Sequence, residues 1–153
     1  MEITHRTATL DDAGILLTWR NDPSVREFSL NSELIPIDEH LKWLSDRLER
    51  TQIEPFFLFV ADHRVIGMSR LDVVSEEADK YKISVLVDPN QHGKGIGTRI
   101  LHITCETFFS LHSDYTIVAK VHKLNLVSQK LFTNAGFELL SSIGNFFDFE
   151  KNL

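Results

Sequence analysis

The chain has a single cysteine, Cys105, among its 153 residues, so no internal disulfide can form. A lone thiol suits a reducing compartment and excludes the disulfide frameworks of small secreted domains. Four prolines and seven glycines are too few for a collagen-like or low-complexity chain. No apolar run approaches the ~20 residues of a membrane span. The opening Met1-Glu2-Ile3-Thr4-His5-Arg6 lacks the apolar stretch of a secretory signal. Cations are in the minority, 16 Lys and Arg against 22 Asp and Glu, for a formal net charge of −6. That balance argues against a general nucleic-acid binder, which presents a basic face. These absences lead us to expect a cytoplasmic chain with neither a membrane nor a nucleic-acid partner. The length is that of one domain, residues 1–153.

What is present begins with periodicity. Residues 2–9 read as a strand. Asp11 or Asp12 opens a helix over Ala13, Leu16, Leu17 and Trp19, which ends near Asn21-Asp22-Pro23 because proline disfavours helix at the residue before it. Residues 25–36 have no clean period and read as loop with a helical turn. Asp38 opens the clearest helix, with Ile37, Leu41, Leu44 and Leu48 as its apolar stripe and His40, Trp43 and Arg47 to one side. Phe56–Ala61 and residues 64–74 form a hairpin around Asp62-His63-Arg64. Glu76-Glu77-Ala78-Asp79 reads as a solvated acidic turn before a strand at Lys80–Val87. A helix follows through Ile96, Ile100, Ile103, Thr107 and Phe108, then a strand at residues 115–121. Asn125 can cap a helix running to Asn134 and closed by Ala135-Gly136. Strands at residues 137–142 and 145–150 complete a mixed α/β (α+β) order around a central sheet.

The most informative stretch is Val85-Leu86-Val87-Asp88-Pro89-Asn90-Gln91-His92-Gly93-Lys94-Gly95-Ile96-Gly97-Thr98. A strand, a turn and alternating glycines run into a helix N-terminus. Glycine allows close backbone approach, and the unpaired N–H groups of the first helical turn favour an anion, so a phosphate is expected here. A P-loop needs Lys followed by Ser or Thr, whereas Lys94 precedes Gly95. A dinucleotide fingerprint needs G-x-G-x-x-G, whereas these glycines fall at 93, 95 and 97. A coenzyme A site is the third reading.

His92-Gly93-Lys94-Gly95-Ile96-Gly97, after a strand and Asp88-Pro89, resembles the acyl-CoA loop of the GNAT N-acetyltransferases. In that family the loop usually opens with Arg or Gln, and its amides bind the CoA pyrophosphate. Asn125-Leu126-Val127-Ser128-Gln129-Lys130-Leu131-Phe132-Thr133-Asn134-Ala135-Gly136-Phe137-Glu138 is similar to the family's second CoA motif. The resemblance implies a mostly antiparallel mixed sheet of about seven strands, flanked by about four helices and splayed between strands four and five. It implies acetyl-CoA as acyl donor, held by Leu86, Val87, His92, Gly93, Lys94, Gly95, Ile96, Gly97, Thr98, Asn125 and Ser128, with no metal. Two positions depart from the pattern. His92 stands at the Arg/Gln position, where contacts are mostly backbone. Phe132 stands where many relatives use tyrosine to protonate the leaving thiolate. General acid–base help is worth about 10²–10⁴-fold, and a thiol of pKa ~8.5 leaves readily, so another group or water can protonate the sulfur.

The implied reaction is direct attack of a neutral amine on the acetyl thioester. Pantetheine would pair with backbone at Leu86 and Val87, and the Leu86 N–H would polarise the thioester carbonyl. Candidate bases are His122, at a strand end beside the thioester, then Glu39 and His40, then Asp72. Each has a plain structural reading as helix or strand surface. The stretches Trp19-Arg20-Asn21-Asp22-Pro23-Ser24-Val25-Arg26 and Asp38-Glu39-His40-Leu41-Lys42-Trp43-Leu44 are similar to a branch acting on nucleotide-linked amino sugars, ribosomal-protein N-termini and polyamines. On that basis Arg20, Asn21 and Trp43 are expected to meet the acceptor, a small-molecule or peptide amine. A phosphorylated acceptor needs cations, for which Arg20, Arg26, Lys42 and Arg70 are available. A cationic one needs Glu33, Glu39, Asp72 or Glu76. A non-catalytic acyl-CoA-binding regulator and a homodimer both stay open. Cys105 reads as core, His102 and Glu106 as a solvated helix face, and the phenylalanines as packing.

Overall fold

The computed structural model describes residues 1–75 and 79–153. The expected acidic turn at Glu76-Glu77-Ala78 lies outside the described residues. Seven strands form one sheet: β1 (Thr4–Thr7), β2 (Phe56–Ala61), β3 (Arg64–Ser75), β4 (Lys80–Val87), β5 (Thr116–His122), β6 (Glu138–Ile143) and β7 (Phe146–Lys151). Their order is β1-β2-β3-β4-β5-β7-β6, with every neighbour antiparallel except β4 and β5. Five helices accompany them: α1 (Ala13–Asn21), α2 (Pro23–Arg26), α3 (Ile37–Leu48), α4 (Ile96–Leu111) and α5 (Leu126–Asn134). The fifth is α2, a single turn begun by Pro23 and capped by Asp22, whose side chain accepts from the Ser24 N–H. No helix among the described residues is long and apolar enough to cross a membrane.

The sheet is covered on both faces, and β2 shows how its alternation divides the core. Phe56 and Leu58 pack with Leu16, Trp19 and Leu44 beneath α1 and α3. Phe59 and Ala61 pack with Ile96 and Ile100 beneath α4. Each fully buried side chain of this size contributes about 1.5–3 kcal/mol. The β2–β3 hairpin turns at Asp62 and His63, both at positive φ, in the primed sense that matches strand twist. Gly67 on β3 lies under α4. A Cβ there would sit 2.6 Å from Ile100 Cδ1 and 2.8 Å from the Leu86 carbonyl oxygen, so this contact requires glycine.

Only half of the apolar stripe expected on α3 is buried, Leu44 in the core with Leu48 packed against it. Ile37 and Leu41 are 49% and 36% exposed, while His40, Leu44 and Arg47 are at 0%, 0% and 1%. The helix is turned so that two polar side chains meet backbone carbonyls. His40 Nε2 donates to Ala13 O at 3.1 Å. Arg47 donates to the carbonyls of Glu54 (2.6 Å), Pro55 (3.3 Å) and Leu71 (3.1 Å), and to Asp72 Oδ1 at 2.7 Å. Burying these two polar side chains is offset by the hydrogen bonds they make there.

The splay falls between strands four and five. Parallel pairing of β4 with β5 covers only Lys80–Thr116, Tyr81–Ile117 and Lys82–Val118. Pairing of β4 with β3 continues to Gly67–Val87. From Ile83 to Val87, then, β4 has a partner on one side only.

Candidate active site

The glycine loop is held from both ends. After Val87, Asp88 accepts from the Asn90 N–H at 2.9 Å and opens a short turn at Pro89–Gln91. The His92 ring then donates from Nε2 to Val87 O at 3.1 Å, tying the loop back to the strand. Gly93 and Gly95 have φ of 82° and 74°, the left-handed region that favours glycine. Gly95 is the N-cap of α4 and no side chain caps the helix. The N–H groups of Ile96, Gly97 and Thr98 therefore open at the positive end of a 16-residue helix. Ile96 is 1% exposed and anchors this turn in the core. Lys94 stands beside it, bound to Gln91 Oε1 at 3.0 Å. The arrangement suits a pyrophosphate.

The one-sided edge of β4 continues from that loop. Three contacts fix which backbone groups face the gap. Asp88 N–H donates to Ile66 O at 2.9 Å on the β3 side. The Leu86 carbonyl also lies on that side, against Gly67. The Val87 carbonyl faces away and accepts from His92. Strand alternation then turns Val85 and Val87 towards the gap and Leu86 towards β3. The Leu86 N–H, expected to face the thioester, therefore points towards β3. Across the gap, Asn125 caps α5 by accepting the Ser128 N–H at 3.1 Å, as its position in the motif suggested. Phe132 is 6% exposed and packs against Phe137 and Phe149, so a core ring occupies the position of the usual acid.

A cavity of about 410 Å³ opens on this edge. Ser84, Val85 and Leu86 of β4 line it together with Met68 and Arg70 of β3. Its walls are Arg20 of α1, Glu33 and Ile35 of the α2–α3 segment, and Glu39, His40 and Trp43 of α3. Each of the two charge sets read from the sequence is thus divided. Arg20 and Arg70 line the cavity, whereas Arg26 and Lys42 do not. Glu33 and Glu39 line it, whereas Asp72 binds the guanidiniums of Arg47 and Arg70. Glu76 lies outside the described residues. Burial lowers the pKa of Arg20, the Arg70 charge adds to that, and Glu39 opposes it. Both guanidiniums lie on the Trp43 ring, at 4.8 Å for Arg20 and 5.1 Å for Arg70.

The remaining predicted residues take distinct places. Asn21 pairs its amide with the Ile35 backbone in both directions, at 3.1 and 2.9 Å, and so pins the segment that walls the cavity. His122 is half-buried against Phe28 and Phe146 and does not line the cavity. Its Nδ1 accepts the Leu124 N–H at 3.1 Å, so the neutral ring carries its proton on Nε2 and can only donate there. His40 is buried, its Nδ1 has no partner among the described residues, and burial lowers its pKa. Glu39 is exposed in the cavity wall. Sequence reasoning missed Arg47 as the organiser of this region; its only signal was the polar row His40, Trp43, Arg47 beside the stripe. Among the described residues no group of three His, Cys, Asp or Glu could hold a metal.

The family model described as the acetyltransferase (GNAT) domain matches residues 2–138. The chain belongs to the GNAT acetyltransferase family. Solved structures agree with this GNAT acetyltransferase in fold. An N-acetyltransferase from Staphylococcus aureus Mu50 is 21% identical, with TM-score 0.81 and 99% of each chain covered. A ribosomal-protein-alanine N-acetyltransferase from Brucella melitensis is 23% identical, with TM-score 0.80 and coverage of 98% and 99%. A spermidine N-acetyltransferase from Vibrio cholerae, solved with CoA and spermine, is 16% identical, with TM-score 0.84 and coverage of 97% and 94%. At such identities the likeness carries the fold and no more. A search of curated proteins gives no significant match.

Proposed function

We propose that this GNAT acetyltransferase moves an acetyl group from acetyl-CoA to a primary amine seated in the cavity, by direct attack. The observation that carries this reading is that the cavity floor is the one-sided edge of β4. An amine in the cavity and a thioester on that edge would meet without any rearrangement of the fold, and positioning of that kind can supply much of the acceleration. The acetyl-CoA thioester supplies the activated carbonyl. The chain's own contribution is the loop amides at residues 96–98 for the pyrophosphate and the open edge for the pantetheine amides. The Val85 N–H, on that edge and in the cavity wall, serves as donor to the carbonyl oxygen. Phe132 plays no acid role, and water protonates the leaving sulfur.

Glu39 is the proton acceptor. It lies exposed in the cavity wall, on α3 one residue from His40, and its charge acts on Arg20, whereas His122 is bonded at Nδ1 and His40 is closed to solvent. Glu39→Gln is expected to lower kcat/KM about 10²-fold near neutral pH, at the lower end of general-base effects. The loss should shrink as pH rises towards the amine's own pKa, where free amine no longer needs a base. A uniform loss at every pH would assign Glu39 to binding instead.

The first-choice acceptor is a nucleotide-linked amino sugar. The resemblance of residues 19–26 and 38–44 admits it alongside peptide and polyamine acceptors, and the two guanidiniums in the cavity wall, Arg20 and Arg70, favour the phosphorylated one. The test is CoA release with acetyl-CoA and a panel of nucleotide amino sugars, peptide amines and polyamines. Turnover confined to the sugars is expected. Turnover confined to peptides or polyamines would remove the sugar assignment. Tight acetyl-CoA binding with no turnover on any amine would make the chain an acyl-CoA-binding regulator.

A further inference from the structure

Arg20 is the feature that the reaction does not yet use. It is half-buried in the cavity wall and makes no hydrogen bond or ion pair within 4 Å among the described residues. Its guanidinium lies on the Trp43 face at 4.8 Å, with the Glu39 charge acting on it from the same wall without a direct bond. A partly desolvated cation with five unused donors is costly unless an anion completes it. A second guanidinium, Arg70, lies on the same ring at 5.1 Å and also faces the cavity. Two like charges that share one aromatic ring repel each other; Asp72 offsets Arg70, while Arg20 has no directly bonded anion among the described residues.

Arg70 is not free to swing away. Its Nη1 donates to Asp72 Oδ2, and the other oxygen of Asp72 accepts from Arg47 Nε at 2.7 Å. Arg47 is itself immobilised by three backbone carbonyls. A rigid chain thus runs from the protein interior to the cavity, Arg47 to Asp72 to Arg70. It presents Arg70 with its remaining N–H groups directed elsewhere than Asp72. Strand geometry agrees: Met68, Arg70 and Asp72 alternate onto the face that looks towards α1 and α3. Glu33 and Glu39 line the same cavity and are available to the cationic end of an acceptor.

We propose that Arg20 and Arg70, presented on Trp43, form a binding site for an anionic oxygen group, phosphate or carboxylate, carried by the amine acceptor, with Asp72 and Arg47 as positioning residues. This rests on the acetyltransferase reading for its kinetic arm only. The site distinguishes acceptors by charge: a zwitterionic or phosphorylated amine fits both its cations and its carboxylates, whereas a polyamine can use only Glu33 and Glu39 and leaves the Arg20 donors unfilled.

Two measurements test it. The first uses CoA-saturated protein, so that the glycine loop is blocked, and titrates pyrophosphate, inorganic phosphate and acetate while reading tryptophan fluorescence. The chain has two tryptophans, and Trp19 is 3% exposed in the core, so a response reports Trp43. A saturable response is expected that Arg20→Gln and Arg70→Gln each remove. Response to the phosphates alone would identify a phosphorylated acceptor, and response to acetate a carboxylate. No saturable response to any anion, or one that survives both substitutions, overturns the site. The second is kinetic. Each Arg→Gln variant should raise KM about 10- to 100-fold for an anionic amine and leave KM for acetyl-CoA unchanged, the effect of losing charge-assisted hydrogen bonds. Asp72→Asn should raise the same KM with kcat retained, whereas a merely structural role would lower the amount of folded enzyme. Unchanged KM in both arginine variants overturns the proposal while the acetyltransferase reading stands. Absence of turnover with every amine overturns that reading, and the fluorescence titration still decides the anion site.

Discussion

Gly95→Asp is expected to weaken acetyl-CoA binding about 100-fold or more without unfolding the protein. Gly95 is the left-handed N-cap of α4, and nothing lies within 4 Å of a Cβ built there. An aspartate can therefore be accommodated, at about 1–2 kcal/mol for the left-handed backbone. Its carboxylate is a better helix cap than glycine by only a few tenths of a kcal/mol, so a net stability loss of about 1 kcal/mol is expected, well short of unfolding. The ligand sees something different. The carboxylate takes the N–H groups that a phosphate would use and places a negative charge at the same point. A tenfold loss corresponds to about 1.4 kcal/mol, and displacement plus repulsion should exceed twice that. Calorimetry with acetyl-CoA measures the loss of affinity, and a thermal melt of the ligand-free variant measures the loss of stability. Affinity equal to wild type would show that the phosphate lies elsewhere.

Arg47→Leu should produce the largest loss of stability of any single change on α3, about 3–5 kcal/mol. Arg47 is 1% exposed and satisfies the carbonyls of Glu54, Pro55 and Leu71 together with one oxygen of Asp72. Leucine fills part of the volume but removes the guanidinium from all four acceptors, although Pro55 O keeps the Leu71 N–H at 2.9 Å and Asp72 keeps Arg70. Each unsatisfied buried group costs about 1–3 kcal/mol, and water will recover some of that sum. In a chain of this size the change corresponds to a fall in melting temperature of about 10 °C. Urea unfolding gives the free energy directly. A shift below about 1 kcal/mol would mean that the carbonyls rehydrate and that the guanidinium is dispensable to the fold. Arg47→Lys should not rescue, because a single ammonium cannot span the directions of four acceptors.

What was legible in the sequence was whatever adjacent residues decide. The hairpin at Asp62-His63, the glycine loop and the Asn125 cap all follow from backbone geometry within a few residues, and each lies where expected. The face of α3 was legible only in part. Ile37, Leu41, Leu44 and Leu48 make the better apolar row, but the helix is oriented by acceptors at residues 13, 54, 55, 71 and 72, far away in the chain. The cavity was invisible for the same reason, since its wall is drawn from α1, α3, β3 and β4. Arg20 and Glu39 could be named as charged residues, but only the fold places them around one space. The splay came from family resemblance rather than periodicity, because nothing in Lys80–Val87 marks Lys82 as the last residue with two strand partners. That the Leu86 backbone faces β3 was not legible either, because a strand's two sides differ by one residue and no sequence pattern states which side is open.

That gap has a thermodynamic consequence. Between Ile83 and Val87 the protein has an edge in the middle of its sheet rather than at its border, of the kind other proteins hide or blunt. Only three residue pairs of the ladder join the four strands before it to the three after it. A cofactor that hydrogen-bonds along that edge serves as a temporary eighth strand, so the enzyme's resistance to unfolding is linked by mass action to its own reactant. At a concentration 100 times the dissociation constant the linkage is worth about 2.7 kcal/mol. On the proposed binding mode, each catalytic cycle would alternately brace and release the seam on which the two halves of the sheet depend.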